Sequence, residues 1–311
     1  MSEVRLSYLI TTFNKLKYLK ITLPFLLENV REDEEIVITD GGSTDGSQEY
    51  LSGLYKDGKI HQYVSERDAG EADGFNKGIL MAKGKFIKPL TDDDLFELDG
   101  IRKCVGYMLS NGEVDLMGMG GISYDSALDS YESSIASDTL LFEAYRRGKR
   151  PFAISGLGVL FRKHSISKIG LYGVNYKRVD MEFWLRSSSN RNLKMAYAPV
   201  NAYCWIANMD SNSFSTVAQK RMEMESYNLV YYFQNAYDGQ FFSNPFLHLL
   251  KHNWHWFLRF KNHFLRKESK ALPSYVLNDA LDPKKLTGAY HKALVKLKGC
   301  TVNEPVAFVK G

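Results

Sequence analysis

The chain has 311 residues, 44% of them hydrophobic, enough to bury the core of one large domain or of a domain with an appendage. Its 40 basic and 36 acidic side chains leave a net charge of +4, too mild a surplus to argue for nucleic-acid binding. Cys104, Cys204 and Cys300 lie far apart without a CxxC pair, which argues against a disulfide framework or a cysteine zinc site and fits a reducing compartment. The N-terminus lacks the layout of a secretory leader and no run of about 18 apolar residues follows, so the expectation is a cytoplasmic protein.

Leu6 to Phe13 and Glu35 to Thr39 read as short buried strands rich in Ile, Val and Thr, each running into polar residues. Between them Leu16, Leu19, Leu23 and Leu26 recur at helical spacing behind Asn14, a candidate N-cap, and Pro24 is expected to kink that helix or begin its second half. Such a β-α-β unit favours parallel pairing. After a glycine-rich turn, Asp40 to Ser47, a helix through Tyr50, Leu51 and Leu54 runs to the break Lys56-Asp57-Gly58, and Ile60 to Val64 reads as a strand. Ala72 to Met81 carries Phe75 and Ile79 on one helical face, with Gly84 as a stop. Phe86 to Leu90 then reads as a strand entering the acidic run Asp92-Asp93-Asp94, although Pro89 cannot donate to a ladder.

The first hundred residues thus form an α/β nucleotide-type half, in which ligands gather at the carboxyl ends of the strands. Later elements are less regular: a strand over Ser155 to Arg162, a helix from Asp180 to Ser187, and a long helix from Ser215 to Tyr237.

Three adjacent aspartates would repel one another once desolvated, and a divalent cation is the natural compensation. Mg²⁺ or Mn²⁺ takes oxygen ligands, commonly one or two carboxylates with substrate phosphates, which leaves positions for a nucleotide diphosphate. The plainer alternative is a solvated turn or a helix N-terminus near Leu95, where carboxylates are also favoured. Asp40 ends a strand where its carboxylate can accept the N–H of a uracil or guanine ring, with Gly41 and Gly42 permitting close approach. An ordinary Asx turn would use the same residues.

The segments Thr11-Thr12-Phe13-Asn14, Asp40-Gly41-Gly42-Ser43-Thr44-Asp45-Gly46-Ser47, Ser65-Glu66-Arg67-Asp68-Ala69-Gly70, Asp73-Gly74-Phe75-Asn76-Lys77-Gly78-Ile79, Ala82-Lys83-Gly84 and Leu90-Thr91-Asp92-Asp93-Asp94 stand in a definite order and spacing. In both respects the chain resembles glycosyltransferase family 2 over roughly residues 4 to 210. The resemblance implies the GT-A fold, α/β with a mostly parallel, Rossmann-like central sheet flanked by helices, here with a helical C-terminal extension. It implies sugar transfer from a nucleotide donor, a UDP-sugar before others, with inversion and with Mn²⁺ or Mg²⁺ as cofactor. Thr11, Thr12 and Asn14 would line the nucleotide pocket, Asp40 would contact the base beside Ser43, and Asp73 and Asn76 would lie near the diphosphate or donor sugar. Helix capping and surface polarity are the plainer roles for that last pair. The acidic run would supply a ribose contact, Asp92, and metal ligands, Asp93 and Asp94. Aligning from Leu90 puts Thr91 at the first acidic position of the family's Asp-x-Asp-Asp pattern, and Asp92-x-Asp94 is an equally open register.

Inverting transfer needs a base for the acceptor hydroxyl. Val179-Asp180-Met181-Glu182-Phe183-Trp184-Leu185-Arg186 resembles the family's late acidic-aromatic-Arg segment, which makes Asp180 the base and Glu182 the fallback. On a helix the two point about 200° apart. Trp184 reads as core before sugar platform, and Arg186 as partner of a carboxylate or of the diphosphate. The domains expected are a catalytic one over 1–210, with about 1–100 for the nucleotide sugar and 101–210 for acceptor and base, and a helical, aromatic and basic region over 211–311.

Within that region, residues 246–270 interleave aromatics with Lys and Arg. The mixture suits peripheral membrane contact and a lipid-linked acceptor, or else a helix packed on the catalytic domain or on a second subunit of a homo-oligomer. His248, His252 and His255 share a helical face but lack acidic or cysteine partners, so buried or interfacial histidines are expected rather than a metal site. The partners expected are therefore the nucleotide sugar and a glycan or lipid-linked acceptor, and no nucleic acid. Two rival classes are weaker. A nucleotidyltransferase would open with a glycine-rich, basic phosphate loop that Leu9 to Asn14 lacks, and a non-catalytic scaffold would bind donor without turnover.

Overall fold

A computed structural model describes residues 3–126, 128–148, 150–208, 216–237, 283–300 and 308–311. The run 246–270 and its three histidines lie outside them. The chain begins with β1 (Leu6–Thr12), α1 (Leu16–Leu27), β2 (Glu34–Asp40), α2 (Ser47–Lys56), β3 (Gln62–Ser65), α3 (Glu71–Met81) and β4 (Phe86–Leu90). β1 and β2 are buried at every position, as strands covered on both faces must be. Their side chains alternate between two cores. Leu6, Tyr8 and Ile10 meet Leu19, Leu23 and Leu26 of α1 on one face, and Leu9 meets Phe75 and Ile79 of α3 on the other.

There follow β5 (Leu95–Phe96), α4 (Leu98–Ser110), β6 (Leu116–Asp125), β7 (Ser130–Ser133), α5 (Ile135–Gly148), a 3₁₀ turn at Gly156–Gly158, β8 (Val159–Arg162), α6 (Ile166–Ile169), α7 (Val179–Ser189) and β9 (Met195–Ile206). The remaining described elements are α8 (Thr216–Tyr237), α9 (Pro283–Gly299) and β10 (Val309–Lys310). One sheet runs β10-β9-β6-β8-β4-β1-β2-β3, with β5 on β9 and β7 on β6. β3, β2, β1 and β4 are mutually parallel, and β8 is antiparallel to both β4 and β6.

Three local expectations change. α1 runs through Pro24 as a single helix, and its N-cap is Lys15 without a side-chain cap. Asn14 instead adopts a left-handed φ of 54°, tolerated by Asn more than by most residues, and turns to the loop after β2. The strand expected from Ser155 starts only at Val159, because Ser155 caps the 3₁₀ turn by accepting the Leu157 N–H. Pro89 stays in β4: the strand pairs with β1 through Leu90, whereas pairing with β8 ends at Ile87. Beside that gap the Lys88 ammonium, wholly buried, donates to the carbonyls of Pro89 and Leu157 at 2.7 and 2.6 Å.

Helix α9 packs onto the sheet domain. Leu286, Tyr290, Ala293 and Leu297 are buried against Tyr18 of α1, Leu95 of β5 and Cys204 of β9. All three cysteines are free, and no described helix is long and apolar enough to cross a membrane.

Candidate active site

Parallel strands β1, β2 and β4 end side by side, so Thr11 and Thr12, Asp40 and the acidic run all emerge at one edge of the sheet. The run is held from several sides. Thr12 Oγ1 donates to Asp92 Oδ2 at 2.7 Å, and Lys15 Nζ and Asn208 Nδ2 donate to Asp93 Oδ2 at 2.7 and 3.0 Å. Asp94 accepts from Thr91 Oγ1 at 2.7 Å and from the Ile206 N–H at 2.9 Å. The main chain is fixed too, through Thr22 Oγ1 to the Asp92 carbonyl and Tyr290 Oη to the Asp93 carbonyl, at 2.9 and 2.5 Å.

All three aspartates are buried, with Lys15 as the one salt-bridged cation among the described residues. Burial first, and the charge of Asp93 second, push the Asp92 carboxyl up to about 7. The same two causes, in that order, raise Asp94 well above the carboxylate range, although the Thr91 hydroxyl and Ile206 N–H act the other way. An arrangement of all-oxygen ligands short of positive charge suits a hard divalent cation. No three His, Cys, Asp or Glu side chains among the described residues are placed to hold a metal ion by themselves.

Asp40 sits in a polar nest of its own. Its carboxylate accepts from Ser65 Oγ at 2.5 Å, from the Ser43 N–H at 3.2 and 3.3 Å, and from Ser43 Oγ. Ser43 Oγ in turn accepts the Asn14 N–H at 2.7 Å, and Asn14 Oδ1 accepts the Thr44 N–H at 2.8 Å. Asn14 and Ser43 therefore knit the β1 and β2 ends together. Neither they nor Asp40 line the main cavity, whereas Thr11 and Thr12 do.

Asp73 and Asn76 also lie off the cavity wall. Asp73 Oδ2 accepts the Ala69 N–H at 3.0 Å and faces Lys77 Nζ at 3.6 Å, a helix-entry role. The buried Asn76 amide is fully engaged with the main chain of Tyr172, donating to its carbonyl at 2.9 Å and accepting its N–H at 2.8 Å. Asn76 thus reaches the site only through Tyr172, which does line the cavity.

That cavity, about 790 Å³, separates the acidic run from the N-terminus of α7. Asp180 lines it from the first turn of α7, its Oδ1 accepting the Met181 N–H at 2.8 Å and its Oδ2 meeting the Gly156 N–H at 3.4 Å. Gly156 is required there: a Cβ would lie 2.7 Å from that of Asp180. Glu182 points away and is buried against Arg186 at 2.5 Å. Arg186 also donates to the Ile169 and Leu171 carbonyls, so both residues serve the 169–171 turn. Trp184 is wholly buried in the core.

Several cavity residues carry no weight in the sequence reading. Lys15 follows the Thr-Thr-Phe-Asn segment, and Lys177 and Arg178 immediately precede Val179-Asp180, so their places were open to inspection. Glu71 opens α3 and is water-accessible yet enclosed by cavity walls. That enclosure, with the charges of Asp180 and Asp93, raises its carboxyl to about 7. Asn208 and Tyr290 give no local signal, since each reaches the acidic run across more than a hundred residues of chain.

Parallel strands ending on an acidic run, opposite a carboxylate on a helix N-terminus, define the GT-A class of α/β fold. The model of the family "Glycosyl transferase family 2" matches residues 7–169, more than half of the 311. The chain belongs to that family. Relatives include an uncharacterized glycosyltransferase of Rickettsia felis, 32% identical over 111 residues, 36% of this chain and 18% of that one. The putative teichuronic acid biosynthesis glycosyltransferase TuaG of Bacillus subtilis is 27% identical over 43% of this chain and 56% of its own. The chain thus spans about half or less of these relatives' length. Among solved structures, S. aureus TarS 1-349 in complex with UDP-GlcNAc superposes with a TM-score of 0.54 at 15% identity, covering 72% of this chain and 64% of that one. Mannosyltransferase PcManGT from Pyrobaculum calidifontis, in complex with GDP-Man and Mn²⁺, gives 0.53 at 13%, covering 94% and 87%. At such identities the likeness is one of fold.

Proposed function

We propose that the protein is an inverting glycosyltransferase that moves a sugar from a nucleotide-diphosphate donor, a UDP-sugar before others, to a hydroxyl of a glycan or lipid-linked saccharide in the assembly of a surface polysaccharide or glycoconjugate. One observation carries the reading: the charge-deficient run Asp92-Asp93-Asp94 and the carboxylate of Asp180 face each other across a single cavity. Family membership, the assignment of TuaG to teichuronic acid biosynthesis and the UDP-GlcNAc and GDP-Man complexes of proteins with this fold support it.

In this reading Thr11 and Thr12 line the nucleotide end and Asp92 orients the ribose, while Asp40, off the cavity wall, would read the base once its serine nest opens. Asp93 and Asp94 would hold Mn²⁺ or Mg²⁺, which when bound offsets negative charge growing on the leaving diphosphate. Lys15 holds Asp93 in place and adds a cation at the same end. Asp180 accepts the proton of the acceptor hydroxyl as its oxygen bonds the anomeric carbon, while the C–O bond to the diphosphate breaks on the opposite side. Tyr172, pinned by Asn76, and Trp205 form part of the cavity wall.

A crystal soaked with UDP and Mn²⁺ tests the assignment. The expected result is an anomalous manganese peak against the acidic run, with the uracil towards Thr11 and Asp40. UDP bound elsewhere, or bound with no metal at the run, would overturn it.

A further inference from the structure

Two cations in the cavity wall lack a side-chain partner among the described residues. Lys177 and Arg178 line the cavity directly before the helix that carries Asp180. Their backbone N–H groups both donate to Glu225 Oε2, at 2.6 and 3.0 Å. Glu225 Oε1 accepts Arg221 Nε at 2.9 Å, and Arg221 also reaches the Asn175 carbonyl at 3.1 Å. Helix α8 therefore clamps this segment through its main chain and leaves both side chains uncommitted.

Among the described residues neither side chain makes an ion pair or a hydrogen bond, and the Arg178 Nε–H is buried without any acceptor. Asp180 and Glu71 share the cavity, and the charge of Lys177 is felt at Glu71, yet neither carboxylate reaches the guanidinium. Lys15, at the opposite wall, is already joined to Asp93. A planar guanidinium with an unsatisfied, desolvated N–H beside an ammonium is a donor set made for a carboxylate or a phosphate.

We propose that Lys177 and Arg178 form an anion subsite that binds a phosphate or carboxylate carried by the acceptor saccharide. The proposal rests on the glycosyl-transfer reading with Asp180 as base, because groups two and three residues before the base face the incoming molecule rather than the leaving diphosphate.

The test uses the full chain with Mn²⁺ and saturating UDP, titrated calorimetrically with glucose 1-phosphate, glucuronate and methyl glucoside. The wild type should bind at least one of the two anionic sugars and not the neutral one, and which of the two it binds separates phosphate from carboxylate. Arg178→Met and Lys177→Met should each weaken that binding by about tenfold or more, with Arg178→Lys intermediate. Affinity for UDP, measured separately, should stay close to wild type and would show that the variants are folded. Equal binding of methyl glucoside, no binding of either anionic sugar, or a parallel loss of UDP affinity in Arg178→Met would overturn the proposal, the last by reassigning the pair to the donor diphosphate. A wild type that binds no UDP would instead remove the donor reading beneath it.

Discussion

Asp180 and Glu182 sit two residues apart on one helix, and packing separates their chemistry. Glu182 is neutralised by Arg186 inside the protein, whereas Asp180 looks into the cavity with the Gly156 N–H beside it. Asp180→Asn keeps the shape and removes the base, so transfer should fall by roughly 10²–10⁴ while UDP affinity stays nearly intact. Unchanged turnover would move the proton transfer elsewhere. Gly156→Ala probes the same atom by geometry, because its new methyl must displace Asp180. A shift near 1 Å should cost turnover on the order of 10²-fold, with a stability loss of about 1–3 kcal/mol from the overpacked contact. At the donor end, Asp94→Ala should weaken Mn²⁺-supported UDP binding and leave metal-free binding alone; wild-type titrations in that variant would point to Asp92 with Asp93, or to no metal site.

At the scale of elements, the wall between the two ends of the cavity depends on side chains buried behind it. Asn76 ties α3 to the turn before α7, and Asn76→Ala strands the Tyr172 N–H and carbonyl. A loss of about 1–3 kcal/mol is expected in urea unfolding, and a loss close to zero would mean that solvent reaches Tyr172. Lys88 ties β4 to the 3₁₀ turn that supports Asp180, and burial lowers its ammonium from 10.5 to about 7. The unfolded chain then binds more protons between those values, so this contribution to stability grows as pH rises above about 7 and is lost as pH falls through it. Relative to Lys88→Met, the wild type should gain stability from pH 7 to 9, by at most about 1.4 kcal/mol per unit. Parallel pH curves would show that the amine stays charged. The β-α-β order, the strand ends and the acidic run were legible in sequence because period-2 and helical patterns are local. The role of Asn76 was not, since its partner lies 96 residues away, and a lysine in the core is written in no periodicity at all.

On the scale of the whole molecule, the acidic run is built by both ends of the chain. α9, nearly 200 residues downstream, places Tyr290 against the Asp93 carbonyl, wholly buried beside Tyr18. β10 adds itself to β9, and Phe308 stacks on Tyr107 with ring centroids 3.9 Å apart. The family match ends at residue 169, so Asp180, the clamp from α8 and this C-terminal seal all lie beyond it. Turnover of a nucleotide sugar is measured directly as nucleotide release from a panel of UDP-, GDP- and dTDP-sugars with Mn²⁺, with and without saccharide acceptors. Release is expected from at least one donor, faster with an anionic acceptor and lost in Asp180→Asn. Absence of release from every donor, by a protein that still binds UDP, would contradict it and leave a binding protein in place of an enzyme.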